Sequence, residues 1–115
     1  MANRERSAAY ALVFASHLPH LQAVAREHGY ALAVHGSMRT DLDLIAAPWT
    51  EEATDAETLI EALRSSVNGY IAQMEGEGWA RNPEEKPCGR RAWSIYFADA
   101  AAGPYLDVSV MPRGK

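Results

Sequence analysis

The chain has 115 residues, 48% hydrophobic and 23% charged, with a formal net charge of −4. That length and balance imply one soluble globular domain spanning residues 1–115. The acidic excess argues against a general nucleic-acid-binding surface, which needs a basic stripe to release counterions from phosphates, and leaves room for a local basic patch.

The N-terminal run Met1-Ala2-Asn3-Arg4-Glu5-Arg6 carries charge and lacks the long apolar segment of a signal peptide or membrane span, so a cytoplasmic protein with no membrane partner is expected. Cys88 is the sole cysteine, which excludes an internal disulfide or a cysteine-based metal cage and suits a reducing compartment. Residues 7–17 (SAAYALVFASH) are rich in helix formers and predict a helix. Pro19 cannot continue it without loss of a hydrogen bond, so a second helix is expected to open at Pro19. Leu21, Val24 and Ala25 recur at helical spacing, and Gly29 stops the helix. His17, His20 and His28 have no cysteine partners and no H-x-x-x-H pair, so they read as surface or helix-end residues.

Residues 30–34 (YALAV) form a β-compatible run ending at Gly36-Ser37, a corner at which glycine is free to take positive φ. Asp41-Leu42-Asp43-Leu44 then alternates acid and apolar, placing both carboxylates on one face of a strand and both leucines on the other. By itself such a D-x-D is also what a solvated strand face looks like. Carboxylates this close repel and raise one another's pKa unless a cation lies between them. Pro48 closes the strand, and Trp49 is expected to lid the core.

Thr54-Asp55-Ala56-Glu57 reads as a capping box ahead of Leu59, Ile60, Leu63 and Val67, predicting a helix over 55–68. Gly69 ends it, or Tyr70, Ile71 and Met74 extend it as far as the Glu75-Gly76-Glu77-Gly78 run. Residues 75–90 read as a long loop, with a short strand at 79–81. Residues 92–97 (AWSIYF) and 105–110 (YLDVSV) predict an antiparallel hairpin. In the second of these strands Asp107 and Ser109 face away from Leu106, Val108 and Val110. If it lies in register beside 41–44, Asp41, Asp43 and Asp107 converge on an open sheet face while the helices cover the other.

The apolar run into Gly36-Ser37 followed by an apolar-flanked Asp41-x-Asp43 resembles the signature of the nucleotidyltransferase superfamily related to DNA polymerase beta. HGSMRTDLDLIAAPW at 35–49, KPCGRRAWSIYF at 86–97 and YLDVSVMP at 105–112 resemble, over roughly residues 20–112, a small group of nucleotidyltransferase-like proteins of phages and prophages. The resemblance implies a minimal nucleotidyltransferase fold, α+β, with a small mixed or antiparallel sheet and helices on one face. It implies Mg²⁺ (or Mn²⁺) held by Asp41 and Asp43, a third acid from a later strand for which Asp107 is the candidate, and nucleoside triphosphate phosphates beside Gly36 and Ser37. Arg39, Arg90 and Arg91 offer forked donors to phosphate. Adjacent strand residues face opposite ways, so at most one of Arg90 and Arg91 reaches the site, and Arg91 joins Arg39 in the expected nucleotide-binding set. Many superfamily members have a longer link between Gly-Ser and the first acid. Here only Met38-Arg39-Thr40 intervenes, so the two strands must join almost as a hairpin.

Two functions follow from this reading. One is metal-dependent transfer of a nucleoside monophosphate from a nucleoside triphosphate to an acceptor hydroxyl on protein, RNA or a small molecule. The other is a non-catalytic module of the same fold that binds a nucleotide or a partner protein. In either, base or acceptor recognition falls to a partner protein or to a homo-oligomer.

Overall fold

Among the described residues, two helix-forming stretches and several short β-compatible runs assemble into an α+β structure with one six-stranded mixed sheet. The computed structural model describes the backbone at residues 2–36, 41–71, 84–97 and 105–113, and within these segments the side chains from residue 12 onward, except at 70 and 71.

Helix α1 (Ala2–Glu27) runs unbroken through Pro19, where the sequence predicts two helices. Pro19 is exposed, and so is Ala15, whose carbonyl loses its donor. Phe14 before the proline and Leu21 and Ala25 after it are buried in one core, and their packing outweighs the roughly 3 kcal/mol that an interior proline costs. Gly29 (φ 85°) turns the chain out of the helix, and a Cβ there would lie 2.6 Å from Ala53 Cα. Only glycine allows the segment before the second helix to cross so close.

Strands β1 (Tyr30–His35) and β2 (Asp41–Pro48) form an antiparallel pair, in register from Tyr30 opposite Pro48 to His35 opposite Asp43. The short link therefore does close a hairpin. Trp49 does not lid the core: it is 67% exposed, beside Gln22, Arg26 and Leu32 at a concavity of about 210 Å³. Leu42, Leu44 and Ala46 are the buried positions of β2, so residue 49 falls on the opposite parity.

Helix α2 (Ala56–Ser66) begins one residue later than a Thr54 cap would have it. Thr54 is held in the preceding turn, its N–H donating to His28 O (2.9 Å) and its carbonyl accepting from the Tyr30 hydroxyl (2.6 Å). Asp55 is the cap instead, accepting from Thr58 N at 2.7 Å. Asn68 (φ 57°) and the Gly69 N–H bond to Arg64 O end the helix. Tyr70–Ile71 is not a helical extension but strand β3, taken up by the free edge of β5. Met74 and the expected strand at 79–81 lie outside the described residues. Within the expected loop, β4 (Glu84–Glu85) and a 3-10 turn at Pro87–Gly89 lead into β5 (Arg91–Tyr96). The last strand is β6 (Tyr105–Val110).

The order across the sheet is β1-β2-β6-β5-β3, with β4 also paired to β5. β5 and β6 are antiparallel, as the sequence predicts, whereas β6 runs parallel to β2. Leu44, Leu106, Val108 and Ile95 face the helices and share one buried cluster with Phe14, Leu21, Leu59, Ile60 and Leu63. Both helices thus cover one face, leaving the other to the alternate residues of each strand. No described helix is long and apolar enough to cross a membrane.

Candidate metal centre

On β2 the burial of Leu42 and Leu44 against the helices forces Asp41 and Asp43 to the open face. On β6 the burial of Leu106 and Val108 does the same for Asp107. The parallel register sets Asp43 directly opposite Asp107 and Asp41 opposite Tyr105. The sheet therefore brings together two acids that are adjacent in alternation and one that is distant in sequence. Each of Asp41, Asp43 and Asp107 offers a carboxylate oxygen, and these atoms all lie within 4.8 Å of one another. His35 faces the same way, opposite Asp43 on β1.

Burial is the main cause that raises the Asp43 carboxyl from 3.8 to about 6; a hydrogen bond with Asp41 and the charges of Asp41 and Asp107 act the same way, and His35 opposes them. Asp107 is raised as well, first by burial, with Asp41 and Glu84 adding, while a hydrogen bond from Asp43 and the charge of Lys86 hold it down. The Tyr105 hydroxyl is pushed up by burial and then by Asp41 and Asp107. The cluster thus retains a proton more readily than separate aspartates would, and a divalent cation relieves the same repulsion.

The donor set fits such an ion. Three carboxylates are hard oxygen ligands, and oxygens bound to one Mg²⁺ at about 2.1 Å lie at most about 4.2 Å apart. The three oxygens, all within 4.8 Å of one another, are close to that spacing.

Gly36 stands against this centre. It adopts φ +86°, and a Cβ there would lie 2.6 Å from Asp43 Oδ2. An added methyl group would displace the carboxylate as well as strain the backbone. Gly36→Ala should therefore weaken Mn²⁺ binding by about tenfold or more, in the range seen when groups that orient metal ligands are changed, while lowering stability by only about 1 kcal/mol. Calorimetric Mn²⁺ titration beside a thermal melt separates the two effects; an unchanged affinity would show that Asp43 is not held by this contact.

The other expected residues divide. Ser37 and Arg39 lie outside the described residues. Arg91 is not brought to the acids: it occupies the helix-facing parity of β5, its Nη1 donates to Glu57 Oε2 (2.8 Å), and its guanidinium lies 5.3 Å from the Trp93 ring centroid. Arg90 takes the acids' face instead, with Nη1 donating to Ser109 Oγ at 3.3 Å. The parity of the pair follows from Ser94 lying opposite Asp107, which local sequence does not reveal. Lys86, Glu84, Tyr105 and His35 are the charged or titratable neighbours that sequence reasoning passed over. For His35 a signal was present, because the short link makes a hairpin and counting back from it sets His35 opposite Asp43. Among the described residues, the histidines of α1 belong to no metal-ligating group.

Comparison with family models, curated proteins and solved structures finds no match to this chain.

Proposed function

We propose that the chain is a metal-dependent nucleotidyltransferase acting at Asp41, Asp43 and Asp107. The observation that carries this reading is the convergence of the three carboxylates from parallel neighbouring strands on the face the helices leave free. Asp41 and Asp43 would hold Mg²⁺ or Mn²⁺ together with the triphosphate of a nucleoside triphosphate, and Asp107 would share a second ion. Divalent ions held there would supply neutralisation of the charge that develops in an in-line displacement. Asp107, whose affinity for a proton is raised, would take the proton of an acceptor hydroxyl on protein, RNA or a small molecule. Gly36 lets the backbone approach Asp43 closely, as a phosphate-binding corner requires.

A second reading, a non-catalytic module that binds a nucleotide or partner protein, is favoured by the tightness of the β1–β2 hairpin. Pairing that persists to His35 opposite Asp43 leaves few backbone amides between Gly36 and Asp41 for a triphosphate. Incubation with each labelled nucleoside triphosphate, Mg²⁺ or Mn²⁺ and a cell lysate as acceptor source separates the two. Transfer predicts pyrophosphate release or a labelled acceptor. Absence of both across all nucleotides and both metals would favour the binding module.

A further inference from the structure

β4 and β5 pair antiparallel with Glu84 opposite Ala92 and Glu85 opposite Arg91. One step further along, Lys86 and Arg90 are both extended and stand opposite each other, closed by the Lys86 N–H bond to Arg90 O at 2.9 Å. Alternation sends Arg91 toward the helices and Lys86 with Arg90 to the open face. Arg90 confirms that direction by reaching Ser109 Oγ, and its Nε donates to Pro87 O at 3.2 Å. Lys86 Nζ pairs with Glu84 Oε2 at 3.2 Å, and its charge is felt at Asp107.

Two like charges directly opposite on an antiparallel pair destabilise it. Among the described residues, Arg90 bonds to neutral acceptors and has no ion pair, and the Glu84 side chain that answers Lys86 is 71% exposed. An exposed pair of that kind contributes little. The face therefore has an excess of positive charge immediately beside its excess of negative charge. Ser109, which Arg90 touches, is two residues past Asp107 on β6, about 7 Å along the strand.

We propose that Lys86 and Arg90 form an anion subsite for the oligophosphate portion of the substrate. Arg90 supplies a planar fork of donors and Lys86 a compact charge, the two forms in which proteins meet phosphate oxygens. A metal–oligophosphate is the ligand class that matches both halves of the face, its cations on the carboxylates and its phosphates on Lys86 and Arg90. This assignment rests on the acids being the metal centre, but anion binding is measurable without turnover.

The test is calorimetric titration of the full chain with inorganic pyrophosphate, tripolyphosphate and a nucleoside triphosphate, each with Mg²⁺ and with chelator. Lys86→Gln and Arg90→Gln should each weaken binding of all three ligands by roughly tenfold to a hundredfold, the usual worth of a hydrogen bond to a charged group. Arg91→Gln should bind like wild type. Among the described residues the Lys86 side chain has one ion pair, to the exposed Glu84, so its replacement should leave the fold in place, and Arg90→Lys retains the charge while giving up the fork. Wild-type affinity in both glutamine variants would overturn the proposal, as would failure of wild type to bind pyrophosphate at millimolar concentration in either condition. Pyrophosphate binding that depends on Lys86 and Arg90, in a protein that releases none from any nucleotide, would keep the subsite and discard nucleotidyl transfer.

Discussion

The proposed nucleotidyl transfer should be abolished in Asp41→Ala combined with Asp43→Ala, and each single variant should lose nearly as much as the pair. Ligands that hold an ion jointly act as a unit, so losing one forfeits most of the rate rather than a share of it, by on the order of a thousandfold or more. Asp107→Asn should fall in the same range, because Asp107 lies in register with Asp43 and completes the carboxylate group. Pyrophosphate release and acceptor labelling measure this directly. Residual transfer in the double variant at more than a few per cent of wild type would place the chemistry elsewhere.

Asp43→Asn should stabilise the metal-free protein at neutral pH. The Asp43 carboxyl rises from 3.8 to about 6 on folding, so between those values the native state binds more protons than the unfolded chain. Unfolding free energy then falls as pH rises: stability is fully present below about 4 and has been lost once pH passes about 6. A shift of that size corresponds to at most about 3 kcal/mol. Asp43 is only half-buried, and screening by water and salt reduces this to roughly 1–2 kcal/mol. With chelator at neutral pH, the variant should melt several degrees above wild type. The advantage should shrink toward about pH 4, where both chains are neutral at that position. Saturating Mg²⁺ or Mn²⁺ should raise the wild-type melting temperature and have less effect on Asp43→Asn, since an ion that binds only the native state stabilises it. A variant markedly less stable than wild type in chelator would mean that Asp43 makes a structural hydrogen bond and that its repulsion from Asp41 and Asp107 is minor.

Local alternation was enough to put the three acids on the outward faces of their strands. Asp41-Leu42-Asp43-Leu44 and Leu106-Asp107-Val108 each specify which side chains share a face, because a strand repeats every two residues whatever it packs against. The Leu59, Ile60 and Leu63 stripe similarly announces α2, whose 3.6-residue period is internal to the helix. Local propensity misjudged Pro19, where burial of Phe14, Leu21 and Ala25 keeps one helix intact, and the cap of α2, where the Tyr30 hydroxyl holds Thr54 in the turn.

From its sequence alone this protein acquires two amphipathic strands bearing outward acids, a glycine corner before the first, and helices with one apolar stripe. Tertiary structure decides that β6 lies parallel to β2 with Asp107 opposite Asp43, that Arg90 rather than Arg91 shares their face, and that Lys86 stands across from Arg90. The physical reason is the range of the interactions. Which face a residue takes depends on its own strand, whereas register between strands far apart in the chain is selected by burial of Leu44, Leu106, Val108 and Ile95 beneath α1 and α2. A slip of one residue would invert every side chain of the strand, so the same packing that buries the leucines brings the three carboxylates together.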